Sequence, residues 1–200
     1  MIRRFSIYSL VLFFYCFIAL LLTPFLAGRE VEMERVVMII ASKNFRDEEL
    51  LEPKEILEEN GIEVIVASSS LSEARGMLGA KVKPEILIGS IDVKDFDAVI
   101  FVGGSGSSEY WDSPLAHKIA KEANEQKKII GSICIAPVTL ANAGILKGKR
   151  ATCWPSEAES LKAKGAIYTA KDLEVDGNII TASGPSVAKE FGEEILKSLK

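Results

Sequence analysis

A strand, a helix and a second strand follow one another from residue 35 to residue 68, and that order constrains the fold more than any other feature of the chain. Arg35 to Ser42 (RVVMIIAS) is a near-continuous apolar run with β-branched residues, the pattern of a strand buried on both faces. Asp47 to Asn60 reads as a helix with Leu50, Leu51, Ile56 and Leu57 on one side and Asn60-Gly61 as its stop. Ile62 to Ser68 (IEVIVAS) is the next strand. Such a unit is right-handed and announces a parallel sheet.

The rest of the chain keeps the alternation. Residues 69 to 96 are less regular and read as small strands or a hairpin. Asp97 to Val102 is a buried strand running into Gly103-Gly104, and Pro114 to Gln126 is an amphipathic helix. A strand ending at Cys134 is followed at once by the helical run from Ala136. A short strand at Arg150 to Trp154 and a helix at Glu157 to Lys164 come next. Asp176-Gly177 sits between two apolar stretches within Leu173 to Ala182, a hairpin signal, and Ser186 to Lys200 is the closing helix. The expected fold is α/β: a flavodoxin-like three-layer sandwich with a mainly parallel sheet and a late β-hairpin. These folds place their chemistry at the carboxyl ends of the strands, where Ser42–Asn44, Gly103-Gly104 and Cys134 all fall.

Cys134 stands at a strand-to-helix corner, with Pro137 suited to the first helical turn. The corner lifts its sulfur clear of the sheet, as in a nucleophile elbow, and the start of a helix favours thiolate. From position alone it is either a small buried hydrophobe or a nucleophile. Gly103 and Gly104 supply backbone that approaches a ligand closely. The N–H groups of Gly104 and Ile135 are candidates for an oxyanion hole, and an ordinary turn is the competing reading. The first helix opens with Asp47, Glu48 and Glu49, acids that suit a helix N-terminus. One of them turned back over the strand ends would meet the thiol and serve as proton donor or acceptor.

Residues 5 to 27 carry no charge and follow Arg3 and Arg4, so residues 1–28 read as an N-terminal hydrophobic anchor or signal segment. Residues 29–34 are a linker and residues 35–200 the folded domain. The expectation is membrane anchorage through residues 5–27 with the domain on the outer face; translation starting at Met33 would give a cytoplasmic protein instead. Beyond residue 28 the chain holds 22 basic and 28 acidic residues, net −6, with no basic stripe, so nucleic acid is not an expected partner. Cys16, Cys134 and Cys153 form neither a disulfide framework nor a zinc pattern, and neither metal nor cofactor is expected.

Four features together resemble one family. They are Glu49 four residues before Pro53, Gly103-Gly104 after a strand, Ile133-Cys134-x-x-Pro137 at the elbow, and Thr181-x-x-Gly184-Pro185 before the last helix. From about residue 35 to 200 the chain resembles the PfpI-type intracellular protease and Parkinson-disease deglycase (DJ-one) superfamily, of class I glutamine amidotransferase-like fold. The resemblance implies a dimer or larger homo-oligomer, Cys134 as reactive thiol, Glu49 as its carboxyl partner, and Gly104 with Ile135 as oxyanion donors. Two departures stand out. The protease-like branch has histidine directly after the cysteine, where this chain has Ile135; the deglycase-like branch has one where this chain has Trp154. His117 is the sole histidine and sits on a surface-type helix.

Trp154 is therefore a candidate pocket-lining residue. Cys153 beside it is either a buried small residue or a resolving cysteine for oxidised Cys134. Tyr110 and Trp111 are candidates to wall the pocket or simply to pack the loop. The functional expectation is a cysteine-dependent enzyme of small reactive carbonyls, glyoxalase- or deglycase-like. A redox sensor with oxidisable Cys134, a cysteine peptidase lacking its histidine, and a non-enzymatic chaperone or scaffold are the alternatives.

Overall fold

The computed structural model describes residues 33–200. Twelve strands run in chain order as β1 Arg35–Ile40, β2 Lys43–Phe45, β3 Glu63–Ser68, β4 Ala74–Gly76, β5 Lys81–Val82, β6 Ile86–Leu87, β7 Ala98–Phe101, β8 Ile129–Ile133, β9 Arg150–Ala151, β10 Ile167–Tyr168, β11 Leu173–Asp176 and β12 Ile179–Ala182. The α-helices are α1 Asp47–Glu59, α2 Pro114–Glu125, α3 Pro137–Asn142, α4 Ala158–Ala163 and α5 Ala188–Leu199. The central sheet has seven strands in the order β11-β12-β8-β7-β1-β3-β6. Every pair in it is parallel except the β11–β12 hairpin.

The apolar run of β1 is continuous because both its faces are covered. Val36, Met38 and Ile40 join Leu50 and Leu57 of α1 and Phe191 and Ile195 of α5 in one buried cluster. Val37 and Ile39 join Ile119 of α2, Leu140 of α3 and Leu161 of α4 in the other. The two-residue period of β7 divides the same way, Ala98 and Ile100 to the first layer, Val99 and Phe101 to the second. The α/β architecture and mainly parallel sheet expected from the sequence are therefore present.

The irregular segment takes one of its expected forms, and a difference falls at a short strand. Residues 69 to 96 contain the β4–β5 hairpin, which joins β2 in a separate three-stranded sheet. The segment at 150–154 leaves the ladder after Ala151, because the Thr152 amide donates to Thr181 Oγ1 at 2.9 Å and the Trp154 amide to the Cys134 carbonyl at 2.7 Å. The expectation of a membrane-anchored chain is corrected. Among the described residues no helix is long and apolar enough to cross a membrane. The run at 5–27 from which anchorage was inferred lies outside them, as do the anchor segment 1–28 and most of the linker 29–34.

Candidate active site

The corner at Cys134 is a strained one. Its φ is +64°, a left-handed value that a side-chain-bearing residue adopts at a cost of about 1–3 kcal/mol. The surrounding chain holds it there. The Cys134 amide donates to the Ala182 carbonyl at the end of β12 at 3.0 Å, and its carbonyl accepts from Trp154. One residue on, the Ile135 carbonyl accepts from Trp111 Nε1 at 3.1 Å.

Two further segments close on the thiol. The Arg46 amide, at the start of α1, donates to the Gly103 carbonyl at 3.0 Å and ties the helix to the loop after β7. Gly104 has φ +93°, and a Cβ there would stand 2.3 Å from the Arg46 nitrogen, so the position accepts no side chain. A Cβ on Gly103 would meet both Glu49 Oε2 at 2.4 Å and Cys134 Cβ at 2.6 Å; the bare backbone is what lets carboxyl and thiol share this corner.

Glu49 is fully buried, and neither carboxyl oxygen has a hydrogen-bond partner among the described residues. Burial pushes its pKa up to about 8, against a smaller opposing pull from the neighbouring Cys134 thiol and Gly103 amide. Burial, followed by the charge of Glu49, pushes the Cys134 thiol up to about 12; the amides of Gly104 and Ile135 pull the other way. This differs from the thiolate expected at a helix start. The helix that follows, α3, spans only six residues, and desolvation outweighs its dipole.

Cys134 opens into a pocket of about 290 Å³, lined with Gly104, Ile135, Met77, Trp154, Pro185 and Arg46 among others. Cys153 lies elsewhere, buried in the cluster that contains Leu161, its thiol pushed up to about 12 by burial and then by the charge of Glu157. Both cysteines are free. Tyr110 is buried and its hydroxyl donates to the Ile40 carbonyl at 2.9 Å. His117 is half-buried rather than solvated. Its Nε2 lies 2.8 Å from the Trp111 carbonyl, so Nε2 carries the proton, and Asn142 Nδ2 donates to the same oxygen at 2.9 Å. Among the described residues no group of three or more His, Cys, Asp or Glu could hold a metal ion.

Sequence reading missed Arg46, Met77 and the second role of Asp47. Asp47 is buried and accepts from the amides of Leu78 at 2.8 Å and Ala80 at 2.7 Å, which fixes the β4–β5 hairpin that carries Met77. An acid directly before Glu48 and Glu49 carries no sign of that task. Pro185 stood within a quoted motif, but its place in the pocket wall depends on the approach of the 184–187 turn to Trp154.

The family profile described as DJ-1/PfpI matches residues 34–198. An uncharacterised protein of Methanocaldococcus jannaschii is 47% identical over 83% of this chain and 82% of its own length. A deglycase of Pyrococcus abyssi is 30% identical over 82% of this chain and 99% of its own. The crystal structure of a ThiJ/PfpI domain protein from Brachyspira murdochii superposes with a TM-score of 0.81 at 33% identity, covering 84% of this chain and 99% of that one.

Proposed function

Because this chain belongs to the DJ-1/PfpI family, we propose that it is a cysteine-dependent enzyme of small reactive carbonyls, of the glyoxalase or deglycase kind. The observation that carries this reading is the meeting of a strained Cys134, a buried carboxyl at Glu49 and two backbone amides at the floor of an open pocket. Around neutral pH both acids hold their protons, and the carboxylate form of Glu49 grows as pH passes about 8.

With a 2-oxoaldehyde bound, the aldehyde oxygen lies at the amides of Gly104 and Ile135. Sγ of Cys134 bonds to the aldehyde carbon as the carbon–oxygen π bond breaks. The Glu49 carboxylate takes the thiol proton and delivers it to that oxygen, giving a hemithioacetal. Glu49 then removes the hydrogen on the same carbon while a water protonates the neighbouring ketone oxygen; Glu49 returns its proton to the former ketone carbon as the hydroxyl on the sulfur-bearing carbon gives its own to the hydroxide left by that water. The product is a 2-hydroxyacyl thioester. Water cleaves it, releasing a 2-hydroxy acid and returning the proton to sulfur. The net change is addition of one water, with no external oxidant or reductant.

The peptidase alternative needs an imidazole at the thiol, and His117 is engaged with the Trp111 carbonyl instead. The sensor alternative needs an exposed thiolate, whereas Cys134 is 8% exposed and its thiol is held up. The test is methylglyoxal consumption with lactate formation by the full chain, Cys134→Ser and Glu49→Gln. Turnover that rises with pH through about 8 and vanishes in both variants is expected. Turnover that survives Cys134→Ser overturns the reading, and alkylation of Cys134 without any turnover would favour the sensor.

A further inference from the structure

We propose that the pocket selects neutral 2-oxoaldehydes bearing a flat or branched apolar substituent over methylglyoxal and over carboxylate-bearing carbonyls, with Trp154 and Met77 as the specificity-determining residues. The proposal rests on the carbonyl reading of Cys134 and deepens it.

Trp154 is 45% exposed, unusual for so large an aromatic side chain, and it lines the pocket. Its indole lies against bare backbone: a Cβ on Gly184 would stand 2.7 Å from Cε3 and 2.9 Å from Cζ3. The ring is thus seated on one side and open on the other. Met77, 44% exposed, is equally well placed. Its amide donates to the Phe45 carbonyl at 2.9 Å, its Sδ accepts from the Ser105 amide at 3.4 Å, and Asp47 holds the hairpin on which it sits. A thioether and an indole held in advance present apolar surface without further ordering cost.

Two polar side chains of the pocket, Arg46 and Ser156, are engaged with neighbouring acids. The Arg46 guanidinium donates to Glu48 twice, at 2.8 and 3.0 Å, and the Ser156 hydroxyl donates to Glu157 at 2.9 Å. The Glu48 carboxylate offsets the Arg46 charge and so weakens its pull on a substrate carboxylate. A neutral apolar group displaces only water. The volume points the same way, since about 290 Å³ is far more than one methyl group fills. The methyl group of methylglyoxal leaves most of that wall uncontacted. Where a pocket is apolar, each added methylene changes selectivity roughly 10- to 200-fold.

The experiment compares initial-rate kcat/KM for phenylglyoxal, methylglyoxal and 4-carboxyphenylglyoxal in the full chain, Trp154→Ala and Met77→Ala. In parallel, ligand-observed NMR follows binding of acetophenone, acetone and benzoate to the same proteins, so that recognition is read without chemistry. Phenylglyoxal is expected to lead methylglyoxal by about tenfold or more, with 4-carboxyphenylglyoxal last, and the phenylglyoxal-to-methylglyoxal ratio is expected to fall toward unity in both variants. Acetophenone should bind, acetone and benzoate should not, and Trp154→Ala should lose the binding. Methylglyoxal turnover without preference, or a preference unmoved by either variant, overturns the selectivity and leaves the carbonyl reading standing. Absence of turnover with all three aldehydes, alongside acetophenone binding that depends on Trp154, sinks the carbonyl reading and keeps the apolar recognition. Failure of acetophenone to bind, or equal binding of benzoate, overturns the proposal whatever the turnover.

Discussion

Replacing Glu49 by glutamine keeps the shape of a fully buried side chain and removes its titration. In the unfolded chain the carboxyl titrates at its ordinary 4.5; in the fold, burial moves it to about 8. Between those values the folded protein holds a proton that the unfolded chain releases, so stability falls as pH rises. At ~1.36 kcal/mol per pH unit, the interval from 4.5 to about 8 amounts to roughly 5 kcal/mol, complete above pH 8 and absent below about 4.5. The Glu49→Gln variant carries no such dependence. Its buried amide adds a constant offset, and the change of the difference with pH is the quantity of interest. Urea unfolding of the full chain and of Glu49→Gln, at intervals from about pH 4 to about pH 9, reads it directly. The variant should gain on the parent by several kcal/mol across that range. A difference that stays flat, or a parent that gains on the variant as pH rises, would refute the desolvation argument and with it the picture of a carboxyl kept protonated beside the thiol.

Other perturbations separate the parts of the site. Gly104→Ala forces a side chain into a left-handed position at φ +93° and onto the Arg46 nitrogen, so the urea midpoint should report a loss of at least ~1–3 kcal/mol and activity should vanish. Trp111→Phe keeps an aromatic side chain, smaller than the indole, and removes the hydrogen bond to the Ile135 carbonyl, about 1 kcal/mol of positioning; steady-state kinetics should show a lower kcat at similar KM, whereas a merely structural role would move the urea midpoint alone. Asp47→Ala frees the amides of Leu78 and Ala80 at roughly 1.5–3 kcal/mol for each charge-assisted bond. KM should rise as Met77 loosens, with partial rescue in Asp47→Asn.

What was legible in the sequence follows periodicity and punctuation. The doubly buried β1, the α1 helix with its acids and the hairpin near Gly177 are local patterns, and each is present. The elbow at Cys134 could be read because a strand stops and a helix starts around a single residue. The three residues of β2 could not, because an element that short has no period, and the segment at 69–96 could be read only as small strands or a hairpin, because the β4–β5 turn is held by Asp47, about thirty positions away. The titration of Cys134 was out of reach for another reason. A helix dipole can be inferred from sequence, whereas the desolvation that opposes it exists only once Glu49 and the buried cluster containing Ile40, Val102 and Ile133 have closed on the sulfur. Membrane anchorage was inferred from composition at 5–27, and no helix among the described residues supplies a span.

The hydrogen bonds at Cys134 also set an order for biosynthesis. The cysteine leaves the ribosome with β1, β7 and the Gly103-Gly104 loop already made, yet Trp154 and Ala182, which clamp its carbonyl and its amide, follow 20 and 48 residues later. At ~5–20 residues per second, the nascent thiol spends seconds without either clamp. During that interval it is an ordinary cysteine, open to oxidants and to other thiols, and it acquires its strained backbone only when β12 joins β8. A chain truncated before Ala182 would carry every residue of the elbow and still lack its geometry.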